Sequence, residues 1–366
     1  MTKNAKVVAM VQLPPPMHGA AKMNQHAVDA LSAQFDLQVI EMRFARTVSE
    51  VNRFSLRKLA LAVWLLMRLA WKLPQAKSLY ICFAPCGSAY YRDCLYVLLA
   101  KLFRVPVILH LHGRGLPNMR KSRWQKQFQQ HVFHRQTVIL LGEKLRPEVT
   151  ELTCTTVIIR NCLEAGLFLP QRTDPWAPHQ PVRLLWLSNL FRSKGIETLI
   201  AACALLRAEG TDCHLTIAGD HGDISKSELD ALLERHQMHD AASCIGPVSP
   251  NERQAALKNT DLFVFPSTYA NEAQPLVVLE AMAASVPVIT STIATLPEFV
   301  RPRETGQLCP PDNPDLLATA ISTAIKAPEE TTIMRDQAYQ MCQHEFHHER
   351  FARELTKQVS DITGPP

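Results

Sequence analysis

Short apolar runs alternate with helix-like stretches twice along this chain, and that alternation restricts the fold more than any other feature of the sequence. In the first series the apolar runs are Lys6 to Val11, Ser78 to Phe83, Val105 to Leu111, Thr137 to Leu141 and Thr156 to Arg160, with a Pro-rich loop and a helix from about Ala20 after the first run. In the second they are Arg183 to Leu187, His214 to Ala218, Ser243 to Gly246, Leu262 to Phe265 and Val286 to Thr290. Such alternation predicts a parallel, doubly wound sheet for each series. Between the two, LPQRTDPWAPHQPV at 169–182 concentrates Pro and turn residues as an interdomain linker does. The length, 366 residues, is about twice that of a common domain and agrees with two cores. The expected division is 1–168, a linker 169–182, 183–346, and a closing helix 347–366 that carries Phe351, Leu355 and Val359 at helical spacing.

With 47% hydrophobic and 20% charged residues the chain reads as globular, and a mean hydropathy of −0.05 argues against a polytopic membrane protein. The net charge of +5 conceals an asymmetry. Residues 1–175 carry 24 Lys+Arg against 10 Asp+Glu (24 − 10 = +14), and residues 176–366 carry 15 against 24 (15 − 24 = −9). The basic half suits an anionic partner, either nucleic acid or a membrane surface. Ten scattered cysteines with no CxxC pair read as reduced cytosolic thiols. The start runs directly into a strand-like VVAMV with no secretory leader, so the expected location is the cytoplasm.

Phe54 to Leu73 (FSLRKLALAVWLLMRLAWKL) resembles a membrane element, but its longest uncharged stretch, Leu59 to Met67, is nine residues. A bilayer span needs about 20. On a helical wheel Arg53, Arg57, Lys58, Arg68 and Lys72 share one arc with Trp64 and Trp71, and Leu59, Val63, Leu66, Met67 and Ala70 lie opposite. Two readings stay open: a helix that covers its own sheet through the Leu59 face, or an interfacial helix that sets Lys, Arg and Trp against anionic headgroups. Arg114, Arg120, Lys121, Arg123 and Lys126 add basic density nearby in sequence.

The densest chemical signal is Phe263 to Val300. A strand ends at Phe265, a loop follows, and a helix is expected to begin with Pro275 in its first turn, where a missing N–H costs nothing. A helix N-terminus there suits an anion. Glu272 in the loop and Glu280 on the second helical turn can reach one ligand, one carboxylate suited to sugar hydroxyls and the other to a ribose diol.

The E-x7-E pair Glu272/Glu280, with Pro266-Ser267 before it and EAMA (Glu280 to Ala283), PVI (Pro287 to Ile289) and Pro297-Glu298 after it, resembles the donor-site signature of retaining GT-B glycosyltransferases of the family-4 type, the group 1 glycosyltransferases of cell-surface polysaccharide synthesis. The resemblance extends over nearly the whole chain. Leu184 to Leu199 is similar to the family's strand, loop and KG helix, and implies that Lys194 neutralises the donor diphosphate. IAGD (Ile217 to Asp220) and IGPV (Ile245 to Val248) match later strand ends, which places Gly246 and Val248 near the nucleotide base. Gly19 takes the place of the family's glycine loop, and His112 in LHLHG that of its acceptor-side histidine. Tyr91-Arg92-Asp93, expected in a strand-to-helix turn, looks like a turn of polysaccharide-building members and is carried as a candidate acceptor surface.

What the resemblance implies is an α/β GT-B fold of two Rossmann-like domains facing a central cleft, the last helix returning to the first domain. The implied activity is retaining transfer from a nucleoside-diphosphate sugar to a saccharide acceptor, lipid-linked, with no metal and no cofactor. An anionic membrane surface on the inner face of the cytoplasmic membrane then becomes the better partner for the basic half, and nucleic acid drops away. Two departures bear on the donor side. Asn189 stands five residues before Lys194 where the family has Arg, so Arg192 is the candidate replacement; and E-G-F-G becomes Glu272-Ala273-Gln274-Pro275, leaving the amides of Leu276 and Val277 for the phosphates. They keep open an alternative, a catalytically reduced GT-B protein that only binds saccharide. A literal HExxH at His344 to His348 spells a zinc-protease motif in a polar run without a scaffold, and no DxD tripeptide is present.

Overall fold

The computed structural model describes residues 5–15, 18–44 and 56–364. Pro16, Arg53 and the first two residues of the Phe54 to Leu73 segment lie outside them. The chain forms two compact units, unit 1 of Met1–Cys162 with His348–Pro366, and unit 2 of Leu163–His347.

Unit 1 contains β1 (Lys6–Val11), α1 (Gly19–Gln34), β2 (Asp36–Glu41), α2 (Leu56–Lys72), β3 (Ser78–Cys82), α3 (Gly87–Leu102), β4 (Val107–His110), α4 (Arg123–Phe133), β5 (Thr137–Leu140) and β6 (Thr155–Ile158). Its six strands are all parallel, in the order β2-β1-β3-β4-β5-β6. Strands covered on both faces need apolar side chains on both, and Val7 to Val11 and Val107 to Leu109 are almost wholly buried. The last helix, His348–Thr363, packs on α1, burying Phe351, Leu355 and Val359.

Unit 2 contains β7 (Val182–Leu187), α5 (Ile196–Ala208), β8 (Cys213–Ala218), α6 (Lys226–Arg235), β9 (Ala242–Gly246), α7 (Pro250–Lys258), β10 (Leu262–Phe265), α8 (Leu276–Ala283), β11 (Val288–Ser291), α9 (Leu296–Phe299), β12 (Gln307–Cys309), α10 (Pro314–Lys326) and α11 (Pro328–Glu345); the last helix of the chain is α12. Its parallel sheet runs β12-β11-β10-β7-β8-β9, the Rossmann order read from the other edge.

Residues 169–182, expected as a linker, pack into unit 2. Arg172 donates to the carbonyls of Leu257 and Lys258 at 2.9 Å and of Thr260 at 3.0 Å, closing the C-terminal end of α7. Trp176 is buried with its indole N–H on the Asp261 carbonyl at 3.0 Å. Helix α2 does not cover its sheet through the Leu59 face, the first of its two readings. The stripe that packs inward is Leu65 and Leu69, both fully buried, while Leu59, Val63 and Met67 are half or more exposed. Arg114 and Arg120 leave the free basic face as well: Arg114 lies 3.5 Å from Glu148, and Arg120 is buried, 3.8 Å from Glu151.

The literal zinc motif is broken. Its first histidine lies in the last turn of α11, Phe346 is a buried stop, and His348 begins α12, so the two imidazoles do not sit one turn apart on one helix. His348 packs edge-on against His26, centroids 5.1 Å apart, and His347 stacks on Phe168.

Candidate functional site

In a doubly wound sheet, ligands bind beyond the carboxyl ends of the strands where the strand order reverses. In unit 2 that point lies between β7 and β10, the neighbours from which the chain winds outward in both directions. The loops that follow these two strands carry Lys194 and Glu272. They are zipped together through one carbonyl: Ser193 O accepts from Thr268 N at 2.8 Å and from the Ser267 and Thr268 hydroxyls at 3.2 Å. Lys194 Nζ lies 2.5 Å from Glu272 Oε2, both side chains largely buried, and 4.5 Å above the Tyr269 ring.

Two glycines make this approach possible. Gly195 has φ +80°, and a Cβ there would lie 2.0 Å from the Pro266 carbonyl oxygen. Gly219, after β8, has φ +151°, with a Cβ position 1.7 Å from the Ser188 oxygen. The glycines of the KG and IAGD segments thus let the β7 end and its neighbours touch backbone to backbone.

Pro275 is extended (φ −72°, ψ 117°) and caps α8, whose first helical residue is Leu276. It therefore stands one place before the first turn in which it was expected. The N–H groups of Leu276 and Val277 open the helix, and α8 directs its N-terminus to the same end of the sheet as the Glu272 loop. Glu280, one turn on, is 3% exposed and held by Arg253 of α7, whose Nη1 lies 3.2 and 3.1 Å from its two carboxylate oxygens. Loop and helix are anchored from below: Thr295 donates its hydroxyl to Ala273 O at 2.6 Å, and Ser291 donates to Ser267 O at 2.5 Å.

Arg192 does not join Lys194. Its guanidinium pairs with Glu197 and, at 2.9 Å, with Glu228. Asn189 accepts from Asp220 N at 3.4 Å, so this position ties β7 to β8. Gly246 ends β9 with φ +69°, and Val248 is half-buried two residues on. A cavity of about 530 Å³ lies elsewhere in unit 2, lined by Arg183, His214, Thr216, Ile245, Glu252 and Asn259, and contains none of these groups.

Unit 1 has its own reversal point between β1 and β3. Gly19 opens α1 in ordinary helical conformation behind His18, whose Nδ1 caps Ala21 N at 3.2 Å. His112 follows β4, its ring centroid 4.0 Å from that of His110, which in turn bonds the Tyr80 hydroxyl through Nδ1 at 2.6 Å. Burial, with a further push from His18, lowers the His112 imidazole to about 4, and burial holds His110 well below the usual range. Both are neutral at pH 7.

Tyr91, Arg92 and Asp93 lie within α3 rather than in the turn before it. Asp93 is fully buried and accepts from Ala84 N at 2.8 Å and from Arg92 at 2.7 Å, which fixes the β3–α3 turn and occupies both oxygens. Of the three, Tyr91 presents the most surface, at 39%.

Sequence reading missed Tyr269 as a cover for Lys194, and Arg253. The first lay inside a loop already singled out; the second is 27 positions before Glu280 and only the β9–β10 crossover brings it there.

Residues 171–341 match the model of the family described as glycosyl transferases group 1. The matched stretch falls within unit 2 and includes Lys194, Glu272 and Glu280. An amylovoran biosynthesis glycosyltransferase of Erwinia amylovora is 30% identical over 149 residues, 40% of this chain and 36% of that protein. A glycogen synthase of Mycobacterium tuberculosis is 29% identical over 252 residues, 63% of this chain and 57% of the synthase. The chain thus spans between a third and three fifths of the length of these relatives. The crystal structure of Anabaena HepE in complex with UDP is similar in fold, with TM-score 0.73 over 98% of this chain and all of that one at 18% identity. Two α/β units, each built on a six-stranded parallel sheet, give the GT-B fold expected from the sequence.

One expectation follows for the histidines. Between pH 6.5 and 4 the unfolded chain binds protons that folded His112 refuses, so stability is highest above 6.5 and falls as pH drops toward 4. The shift from 6.5 to about 4 corresponds to about 3 kcal/mol for His112 alone. Urea midpoints from pH 4.5 upward should show that slope, and His112→Gln should flatten it; an equal slope in the variant refutes the assignment.

Proposed function

We propose that this chain transfers a glycosyl group from a nucleoside-diphosphate sugar to a saccharide acceptor in polysaccharide or glycolipid synthesis, with retention at the anomeric carbon. The observation that carries the reading is the meeting of Lys194 and Glu272 at the β7/β10 reversal point, beside the opening turn of α8. These two groups satisfy each other at 2.5 Å, and donor binding exchanges that contact: the diphosphate takes the ammonium, and sugar hydroxyls take the carboxylate. The amides of Leu276 and Val277 add a helix N-terminus for the departing diphosphate. Glu280, oriented by Arg253, takes the ribose diol, with the base near Gly246 and Val248. His112, a neutral imidazole, serves the acceptor side with Tyr91, and Gly19 lets the β1–α1 turn approach the donor.

The relatives support this reading, one being an amylovoran biosynthesis glycosyltransferase and another a glycogen synthase. The acceptor is read as lipid-linked and the chain as a peripheral protein of the inner cytoplasmic membrane face, working without metal or cofactor. Among the described residues no helix is long and apolar enough to cross a membrane.

A second reading, a saccharide-binding protein with reduced catalysis, is favoured by Arg192, whose two carboxylate partners leave Lys194 as the lone cation of its loop facing Glu272. One experiment separates the two. UDP-, GDP- and other nucleotide sugars are screened by thermal shift, then the best is incubated without acceptor. The transferase should be stabilised by one base class and hydrolyse its donor slowly; stabilisation without any hydrolysis or transfer favours the second reading, and no stabilisation by any donor rejects the first.

A further inference from the structure

Among the described residues, the helices on one face of the unit 1 sheet present a set of large apolar side chains to solvent. The connections β2→β3, β3→β4 and β4→β5 all step in one direction across the sheet, so right-handed crossovers put α2, α3 and α4 on the same face. They touch in that order: the Tyr96 hydroxyl of α3 donates to Ala62 O of α2 at 3.3 Å, and Gln125 of α4 donates to the Tyr91 hydroxyl of α3 at 3.4 Å.

Helix α2 turns only Leu65 and Leu69 fully inward. Leu56, Leu59, Val63, Trp64, Met67 and Trp71 point to solvent, from 46% exposed at Trp64 to 86% at Trp71. At about 100° per residue these six fall in one arc of about 140°. In the same helix layer Leu95 and Leu102 of α3 are 55% and 78% exposed, and Trp124 of α4 is 63% exposed. Isolated exposed apolar residues are ordinary, but a contiguous patch is a binding surface.

The charge around this patch has one sign. From Leu56 to Phe133 the only carboxylate is Asp93, which is buried against Arg92. Arg57 and Arg68 border the α2 stripe, the Arg68 guanidinium lying 4.7 Å over the Trp64 ring. Arg104, Lys121, Arg123 and Lys126 are exposed on the α3 and α4 side. Nucleic acid would match the cations and leave the stripe unpaired. A second copy of the layer would match the stripe and oppose like charges. An anionic bilayer satisfies both at once, since acyl chains take the stripe and headgroups take its cationic border.

We infer that the α2–α3–α4 layer docks on an anionic lipid bilayer, with α2 lying in the interface plane and its Leu59–Val63–Met67–Trp71 face inserted. Of the two readings of the helix this takes the interfacial one with a different face, since Leu59, Val63 and Met67, set against the sheet in the other reading, meet lipid together with Trp71. The inference rests on the reading above only in giving a membrane-held acceptor a surface to be reached from.

The full chain is mixed with phosphatidylcholine vesicles and with phosphatidylcholine–phosphatidylglycerol vesicles at low salt. Co-sedimentation should require phosphatidylglycerol, and brominated acyl chains should quench tryptophan fluorescence. Met67→Ser/Trp71→Ser and Arg57→Glu/Arg68→Glu should each weaken binding roughly tenfold or more with unchanged melting. The inference is overturned if neither vesicle binds, if the apolar variant binds like the parent, or if pure phosphatidylcholine binds equally well. It is also overturned if the apolar variant abolishes a concentration-dependent dimer instead, or if the charge variant loses oligonucleotide binding while vesicles are ignored. Glu272→Gln should bind vesicles normally, so failure here and failure of the transferase reading are seen separately.

Discussion

Where the donor screen selects a UDP-sugar, Glu272→Gln should lower glycosyl transfer by about a hundredfold to a thousandfold while UDP binds as tightly as to the parent chain or more tightly. The two effects have opposite sign because Glu272 does two things. In the free protein its carboxylate neutralises Lys194 at 2.5 Å in a largely buried setting, so a diphosphate must displace it to reach the ammonium. Gln keeps the shape and removes the competitor, which favours the anion. During transfer the sugar hydroxyls require the charged acceptor, and losing one such preorganised contact costs about 3 to 4 kcal/mol of transition-state stabilisation. Lys194→Ala reverses the pattern on the binding side: UDP weakens, and Glu272 is left buried without its cation. Calorimetric UDP titration and initial transfer rates on both variants read this directly. Equal losses of UDP affinity in both variants, or parent-like transfer in Glu272→Gln, would sink the assignment of this pair.

What was legible in the sequence follows from burial. Ten strands were placed from apolar runs, and these are strands such as β1, β4 and β10 whose side chains are buried on both faces. The two that escaped, β2 and β12, each lie at one edge of their sheet, while β6 and β9 at the opposite edges were placed. In β2, DLQVIE mixes polar and apolar residues and is only half-buried; β12 is three residues long. Edge position alone does not hide a strand; the mixed pattern of β2 and the shortness of β12 do.

The donor loops were legible because their geometry makes short-range demands, a cation before a left-handed glycine and carboxylates eight positions apart. Arg253, Tyr269 and the two carboxylates that claim Arg192 were not, because those contacts depend on crossovers between distant segments. Helix α2 failed for a different reason. A wheel shows which residues share a side but not which side meets the sheet, and a helix with apolar residues on most of its circumference has no unique answer. Leu65 and Leu69 were chosen by the packing of α2 against α3.

Gly219→Ala should cost unit 2 about 4 kcal/mol or more, against about 1 kcal/mol for Gly210→Ala. Both glycines have positive φ, +151° and +87°, so both variants strain the backbone. At Gly210 an added Cβ meets nothing within 4 Å, and the strain is the whole effect. At Gly219 the Cβ would sit 1.7 Å from Ser188 O and 2.5 Å from its carbonyl carbon, backbone atoms with no rotamer to escape into. Relief requires β7 and β8 to part where Ser188 N bonds Ala218 O at 3.0 Å, and disturbs the bond from Gly219 N to Gly246 O of β9 at 2.8 Å. Parting them also shifts the residues that lead into Lys194, so surviving protein should lose UDP-dependent stabilisation as well. Urea midpoints with and without UDP measure both effects; a Gly219→Ala midpoint equal to that of Gly210→Ala would mean that the close approach of these strand ends contributes nothing to holding the donor loop in place.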